Sequence, residues 1–188
     1  MTLERHTIDS AGLAAYIETL SCELPGFEIR YKDESPVQRG LAALLWPFNR
    51  RYLDGYTTVM FGRVYFPSRA WCAAVGPEAV YRVLRHEAVH LRDARRWPVL
   101  FPLSYVFGAP AVLTARAVWE ARAYAESLRV SMELDGDVSD AELERIATLF
   151  TGAEYLFMCP FPRFVRRRLR ALRHQLREEL ASHDNVVP

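Results

Sequence analysis

His86-Glu87-Ala88-Val89-His90 constrains this chain more than any other stretch of it. The two histidines can serve a single ion only if residues 86 to 90 are helical, because residues four apart then lie one turn above each other on one face. Glu87 then stands beside them, facing the open coordination position. A metal in that place lowers the pKa of a bound water toward neutrality, and a carboxylate within hydrogen-bond reach takes the proton as the water attacks a peptide carbonyl. The expectation is a zinc-dependent hydrolase with His86 and His90 as metal ligands and Glu87 as general base.

The surrounding pattern supports a helix there. Gly76-Pro77-Glu78 supplies a cap, a first-turn proline and a first-turn acid, and Val80, Val83, Leu84 and Leu91 keep one apolar side until Arg95-Arg96-Trp97-Pro98 closes the run. Ahead of it, Tyr56 to Phe66 has strong β character through Thr57, Thr58, Val59, Phe61, Val64 and Tyr65, and reads as the best strand in the chain, ended by Pro67. Further upstream, Asp9 or Ser10 caps a helix through Leu13, Ile17 and Leu20, which Pro25-Gly26 ends. Phe27 to Lys32 alternates as a strand, Ser35-Pro36 opens a helix through Leu41, Leu44 and Leu45, and Asp54-Gly55 makes a turn. Downstream, a long helix is expected from about Pro110 to Glu133. A shorter one follows to about Phe150, with Ser139 and Glu142 as a capping box and Gly152 as its stop, and a last one runs from about Pro162 to Ala181. The expected class is α+β, mostly helical with a small β-sheet, in a single domain over residues 1–188 with no repeat or linker to mark a boundary.

A catalytic zinc site needs a third protein ligand, with its fourth position left to water or substrate. A histidine or aspartate six residues after the second histidine would be of the metzincin type, but that position is Arg96. His6 lies at the terminus, and His174 and His183 lie in a charged helix where a solvated role is expected. Glu120 is the choice: Ala117, Ala121 and Ala123 allow close helix approach, Trp119 and Val118 mark a buried neighbourhood, and a buried acid needs a partner. Glu126 is the fallback, almost two turns on and pointing elsewhere, and Glu133 ranks behind it near the helix end.

These residues resemble the gluzincin metallopeptidases: HEAVH on one helix, then a glutamate on a second in Trp119-Glu120-Ala121-Arg122-Ala123-Tyr124. The resemblance covers roughly residues 56 to 130 and is closest to small single-domain members. It implies a zincin-like fold with an active-site helix and a glutamate helix, a Zn2+ cofactor, a peptide or protein substrate, and a strand before the motif helix that edges the cleft and pairs with extended substrate. One departure stands out, since the thermolysin branch has an aspartate four residues after its ligand glutamate and this chain has Tyr124. Support for the ligands would then come from elsewhere. Asp93 lies on nearly the same face as His86 and His90, with a solvated helix-end acid as the alternative, and Tyr124 is either an oxyanion donor or a core tyrosine.

Composition adds exclusions. Formal net charge is +1 over 188 residues, which gives no reason to expect a nucleic-acid partner. Lys32 is the only lysine, and a GC-rich coding genome accounts for arginine carrying the rest. Cys22, Cys72 and Cys159 are odd in number and lack paired spacing, so they read as buried thiols rather than a disulfide or thiolate zinc set. Residues 1–6 lack a basic start followed by an apolar run, so the expectation is a cytoplasmic location without a secretory signal. Residues 97 to 115 carry no charge, but Pro98, Pro102, Gly108 and Pro110 argue against a membrane span, leaving a buried connection or peripheral membrane contact. The alternative reading is a catalytically silent zincin-fold binding or structural protein. It would act through this apolar segment or through the stripe Arg163, Arg166, Arg170, Arg173 and Arg177 of the last helix, which could meet phosphates or anionic lipid.

Overall fold

The computed structural model describes residues 7–47, 49–107, 115–152 and 158–184. Among them are eight helices and one three-stranded mixed sheet, the mostly helical α+β class expected. The chain divides into two compact units, Thr7–Arg96 and a second from Trp97 onward.

In Thr7–Arg96 the helices are α1 (Ser10–Glu23), α2 (Pro36–Leu45), α3 (Arg69–Val75) and α4 (Pro77–Arg96). The strands are β1 (Glu28–Tyr31), β2 (Thr58–Met60) and β3 (Arg63–Phe66). Short polar side chains start three of these helices by accepting a first-turn N–H that has no intrahelical partner. Asp9 Oδ1 accepts from Gly12 N at 2.8 Å, Ser35 Oγ from Gln38 N at 3.4 Å, and Ser68 Oγ from Trp71 N at 3.0 Å. The sheet order is β1-β3-β2, with β1 parallel to β3 (Ile29 opposite Val64) and β2 antiparallel to it (Val59 opposite Val64). Val64 and Phe66 enter one core with Leu20 of α1, with Leu24 just after it, and with Val80, Leu84, Ala88 and Leu91 along one stripe of α4. At the rim, Arg92 of α4 grips the Glu23 carboxylate with two donors at 2.6 and 2.7 Å, and Arg95 donates to the Glu23 carbonyl at 2.9 Å.

Two expectations need correction here. The run from Tyr56 to Phe66 is a hairpin rather than one strand: Phe61 and Gly62 both take positive φ (52° and 76°), the geometry of a two-residue turn that matches the twist of its strands. Residues 69–75 form a separate helix ahead of the motif helix, so Gly76, at φ 84°, ends α3 before its carbonyl accepts from Val80 N at 3.2 Å to start α4.

From Trp97 the helices are α5 (Leu100–Phe107), α6 (Ala115–Asp135), α7 (Asp140–Thr151) and α8 (Pro162–Asp184). The start expected near Pro110, and residues 108–114 of the uncharged segment, lie outside the described residues. The earlier part of that segment is helical despite Pro102, which falls in the first turn, where a missing N–H breaks no intrahelical bond. Phe101 packs edge-on against Trp119, and Trp119 Nε1 donates to Ser104 Oγ at 3.0 Å. Among the described residues no helix is long and apolar enough to cross a membrane.

Tyr124, Leu128 and Met132 of α6 meet Leu143, Ile146 and Phe150 of α7 and Val165, Leu169 and Leu176 of α8 in one core, the steps of three, four and seven residues keeping each set on one helical face. Ser139 caps α7 as expected, accepting from Glu142 N at 3.1 Å. The arginine stripe of α8 is largely engaged within this unit. Arg166 binds Glu144, Arg173 binds Asp140 at 2.8 Å, and Arg177 binds Asp137 at 2.6 Å, so these three join α8 to α7 and its approach.

Candidate metal centre

The motif falls inside α4, and the helix sorts its side chains by angle. At about 100° per residue, His86, His90 and Asp93 fall within about 60° of one another, while Glu87 lies between that face and the core stripe. Leu84 and Ala88 are fully buried, which fixes the rotation of α4 and therefore the direction of the histidines. The two imidazoles lie 5.2 Å apart between ring centroids with their planes at 76°. His90 is buried, and His86 and Glu87 are half-buried.

Asp93 is 1 % exposed, so the solvated helix-end reading is wrong for it; it is an interior acid on the histidine face. On α6, Glu120 is 3 % exposed and Trp119 is buried, but Val118 is 60 % exposed, so only one of the two neighbours that argued for burial is itself buried. Val118 and Glu120 are two positions apart and look in nearly opposite directions on a helix, which explains the error.

Among the described residues, His86, His90 and Glu120 form a group that could hold a metal ion: each offers one ligand atom, and these atoms lie within 4.8 Å of one another. Two imidazole nitrogens and a carboxylate oxygen are a donor set that suits zinc.

The other candidates sit apart from this role. Glu126 is half-buried with Arg129 3.9 Å away, and His174 is exposed beside Glu178 at 3.4 Å. His6 lies outside the described residues. Tyr124 is a core residue, its ring 5.5 Å from that of Phe150. The thiols are free, but only Cys159 is buried; Cys72 is half-buried and Cys22 exposed, against the expectation for all three.

One buried charged residue was passed over in the sequence. Lys32, just after β1, is fully buried, and its Nζ donates to the Tyr52 carbonyl at 2.6 Å. Burial pushes its pKa down from 10.5 to about 8, while the charges of Glu87 and Asp54 pull it up. Its being the only lysine was the available signal, and compositional bias explains the rarity without explaining the position.

No protein-family model matches the chain, and no curated protein or solved structure matches it, so a functional reading rests on the chemistry of these residues.

Proposed function

We propose that the chain is a zinc-dependent metallopeptidase in which His86, His90 and Glu120 hold the ion and Glu87 is the general base. The observation that carries this reading is the group of two imidazoles and one buried carboxylate whose ligand atoms lie within 4.8 Å of one another, with a second carboxylate adjacent in sequence to the first ligand. Three protein ligands of this kind leave one position for water or substrate. Zinc bound there supplies a Lewis acid and brings a water's pKa toward neutrality.

The chain's own groups do the rest. Glu87 accepts a proton on a carboxylate oxygen as attack proceeds and returns it to the leaving amine, a role worth about 10²- to 10⁴-fold in rate. A peptide substrate fits the sheet, because β2 is one of its two edge strands among the described residues and an extended chain can pair with such an edge. Free thiols accord with a cytoplasmic location.

Hydrolysis of a mixed-sequence peptide library by zinc-loaded wild type and Glu87→Gln tests the proposal. The variant keeps its zinc and loses hydrolysis. Equal hydrolysis by the two proteins removes Glu87 from the mechanism, and hydrolysis that survives removal of the metal refutes the zinc role.

A further inference from the structure

α2 turns its apolar side to water. Its buried residues are Gln38 and, one turn on, Ala42, whereas Pro36, Val37, Gly40, Ala43 and Leu44 are exposed and Arg39 is the one polar residue among its exposed positions. A surface helix ordinarily does the reverse, burying its apolar stripe and showing its polar one. The rotation is held in place by the glutamine. Tyr52 donates its hydroxyl to Gln38 Oε1 at 2.6 Å, and Gln38 Nε2 reaches Met60 Sδ of β2 at 3.9 Å. Rolling Val37 and Leu44 inward would break both contacts and carry the amide away from its partners. Leu44 is thereby left 72 % exposed and Val37 61 %, with Trp46, just past the helix, at 57 %. Among the described residues, no neighbouring group comes within 4 Å of where a Cβ would stand on Gly40, so the face is open at its middle.

The charges within this stretch have one sign. From Ser35 to Leu53 the chain carries Arg39, Arg50 and Arg51 and no acid. All three arginines are exposed, and the Arg50 guanidinium lies 5.8 Å from the centroid of the Trp46 ring. The acids that flank the stretch are Asp33, Glu34 and Asp54, of which Glu34 is taken up by Arg69 at 2.7 Å. An apolar face with an indole at its end and guanidinium groups around it matches the boundary of an anionic bilayer. Leucine and valine enter the acyl edge, tryptophan lies at headgroup level, and arginine meets phosphate. A second copy of the chain fits less well. One side of a helix about 15 Å long offers far less than the roughly 800 Å² per partner of a stable interface, and it would set like charges against each other.

We infer that α2 is a membrane-docking helix, which lies along an anionic bilayer with Val37 and Leu44 inserted and Arg39, Arg50 and Arg51 on lipid phosphates. The contact is peripheral and needs no metal, so it stands apart from the peptidase reading.

The test is co-sedimentation of the full chain with vesicles of phosphatidylcholine alone and of phosphatidylcholine and phosphatidylserine in equal parts. Wild type goes down with the mixed vesicles and stays in solution with the neutral ones. Leu44→Asp weakens the association by at least about tenfold. Arg39→Gln, Arg50→Gln and Arg51→Gln together weaken it by roughly a hundredfold. These positions are exposed, so both variants keep a wild-type circular dichroism spectrum. Leu103→Asp, at an exposed leucine of α5, leaves the association as it is. Wild type that ignores the mixed vesicles or binds both kinds equally overturns the inference. So does a folded Leu44→Asp that binds as wild type does, or a loss on Leu103→Asp alone. A wild-type dimer in size-exclusion chromatography that Leu44→Asp dissolves also overturns it and gives the face to a second copy.

Discussion

Replacing Lys32 with methionine should change how stability depends on pH. Folding lowers the pKa of this lysine from 10.5 to about 8, and a drop of about 2.5 units at about 1.4 kcal/mol each corresponds to about 3 kcal/mol. The sign follows from proton counts. The unfolded chain keeps the proton up to 10.5 and the folded protein releases it near 8, so the unfolded state binds more protons between those values and stability rises with pH across that window. Below it the buried charge carries its full cost. At neutral pH, Lys32→Met removes that cost but leaves the Tyr52 carbonyl without its donor, a loss of about 1 to 3 kcal/mol, so the two proteins should be nearly equal in stability. Urea unfolding of both from neutral pH to 10.5 reads the difference. Wild type should gain about 3 kcal/mol on the variant over that range. Burial pushes the Tyr52 phenol upward from its ordinary value. A difference that stays flat with pH would refute the reasoning.

Phe61→Asn should raise the thermal midpoint slightly, by about 0.5 to 1 kcal/mol in stability, because Phe61 is 84 % exposed and sits at φ 52°, where asparagine is better tolerated; a loss of stability would mean the ring packs on something. Ser139→Ala should cost about 1 kcal/mol in urea unfolding through the lost cap of α7. Arg177 donates to Asp137 and holds its carboxyl below the usual range, a contribution present above the ordinary pKa of aspartate and lost as pH falls through the lowered value. Since both side chains are about half exposed, a double-mutant cycle with Arg177→Gln and Asp137→Asn should return less than about 1 kcal/mol.

Local signals were legible in the sequence because they act over three or four residues. The caps at Asp9, Ser35 and Ser139, the turn at Asp54-Gly55 and the helical placement of His86 and His90 needed nothing from the rest of the chain. What depended on distant partners was not legible. Asp93 left two readings open, support for the ligands or a solvated helix-end acid, and only the fold places it in the interior. Lys32 reads as the wet face of a strand, and its burial is made by Tyr52, twenty residues on. The hairpin was hidden because Phe61 looks like a strand residue, and only Gly62 beside it hinted at a turn. Val118 and Glu120 show the limit of inferring burial from sequence neighbours: on a helix, positions two apart point in nearly opposite directions. The arginines of α8 aligned as foreseen, but three of them meet acids at Asp137, Asp140 and Glu144.

The ligand set is tested most directly by metal content, measured by elemental analysis on protein purified without added metal and again after zinc reconstitution. Wild type and Glu126→Ala should each carry one zinc per chain, and His90→Ala and Glu120→Ala should carry none while keeping a wild-type circular dichroism spectrum. A folded wild type that takes up no zinc, or Glu120→Ala that binds it as wild type does, would contradict the account.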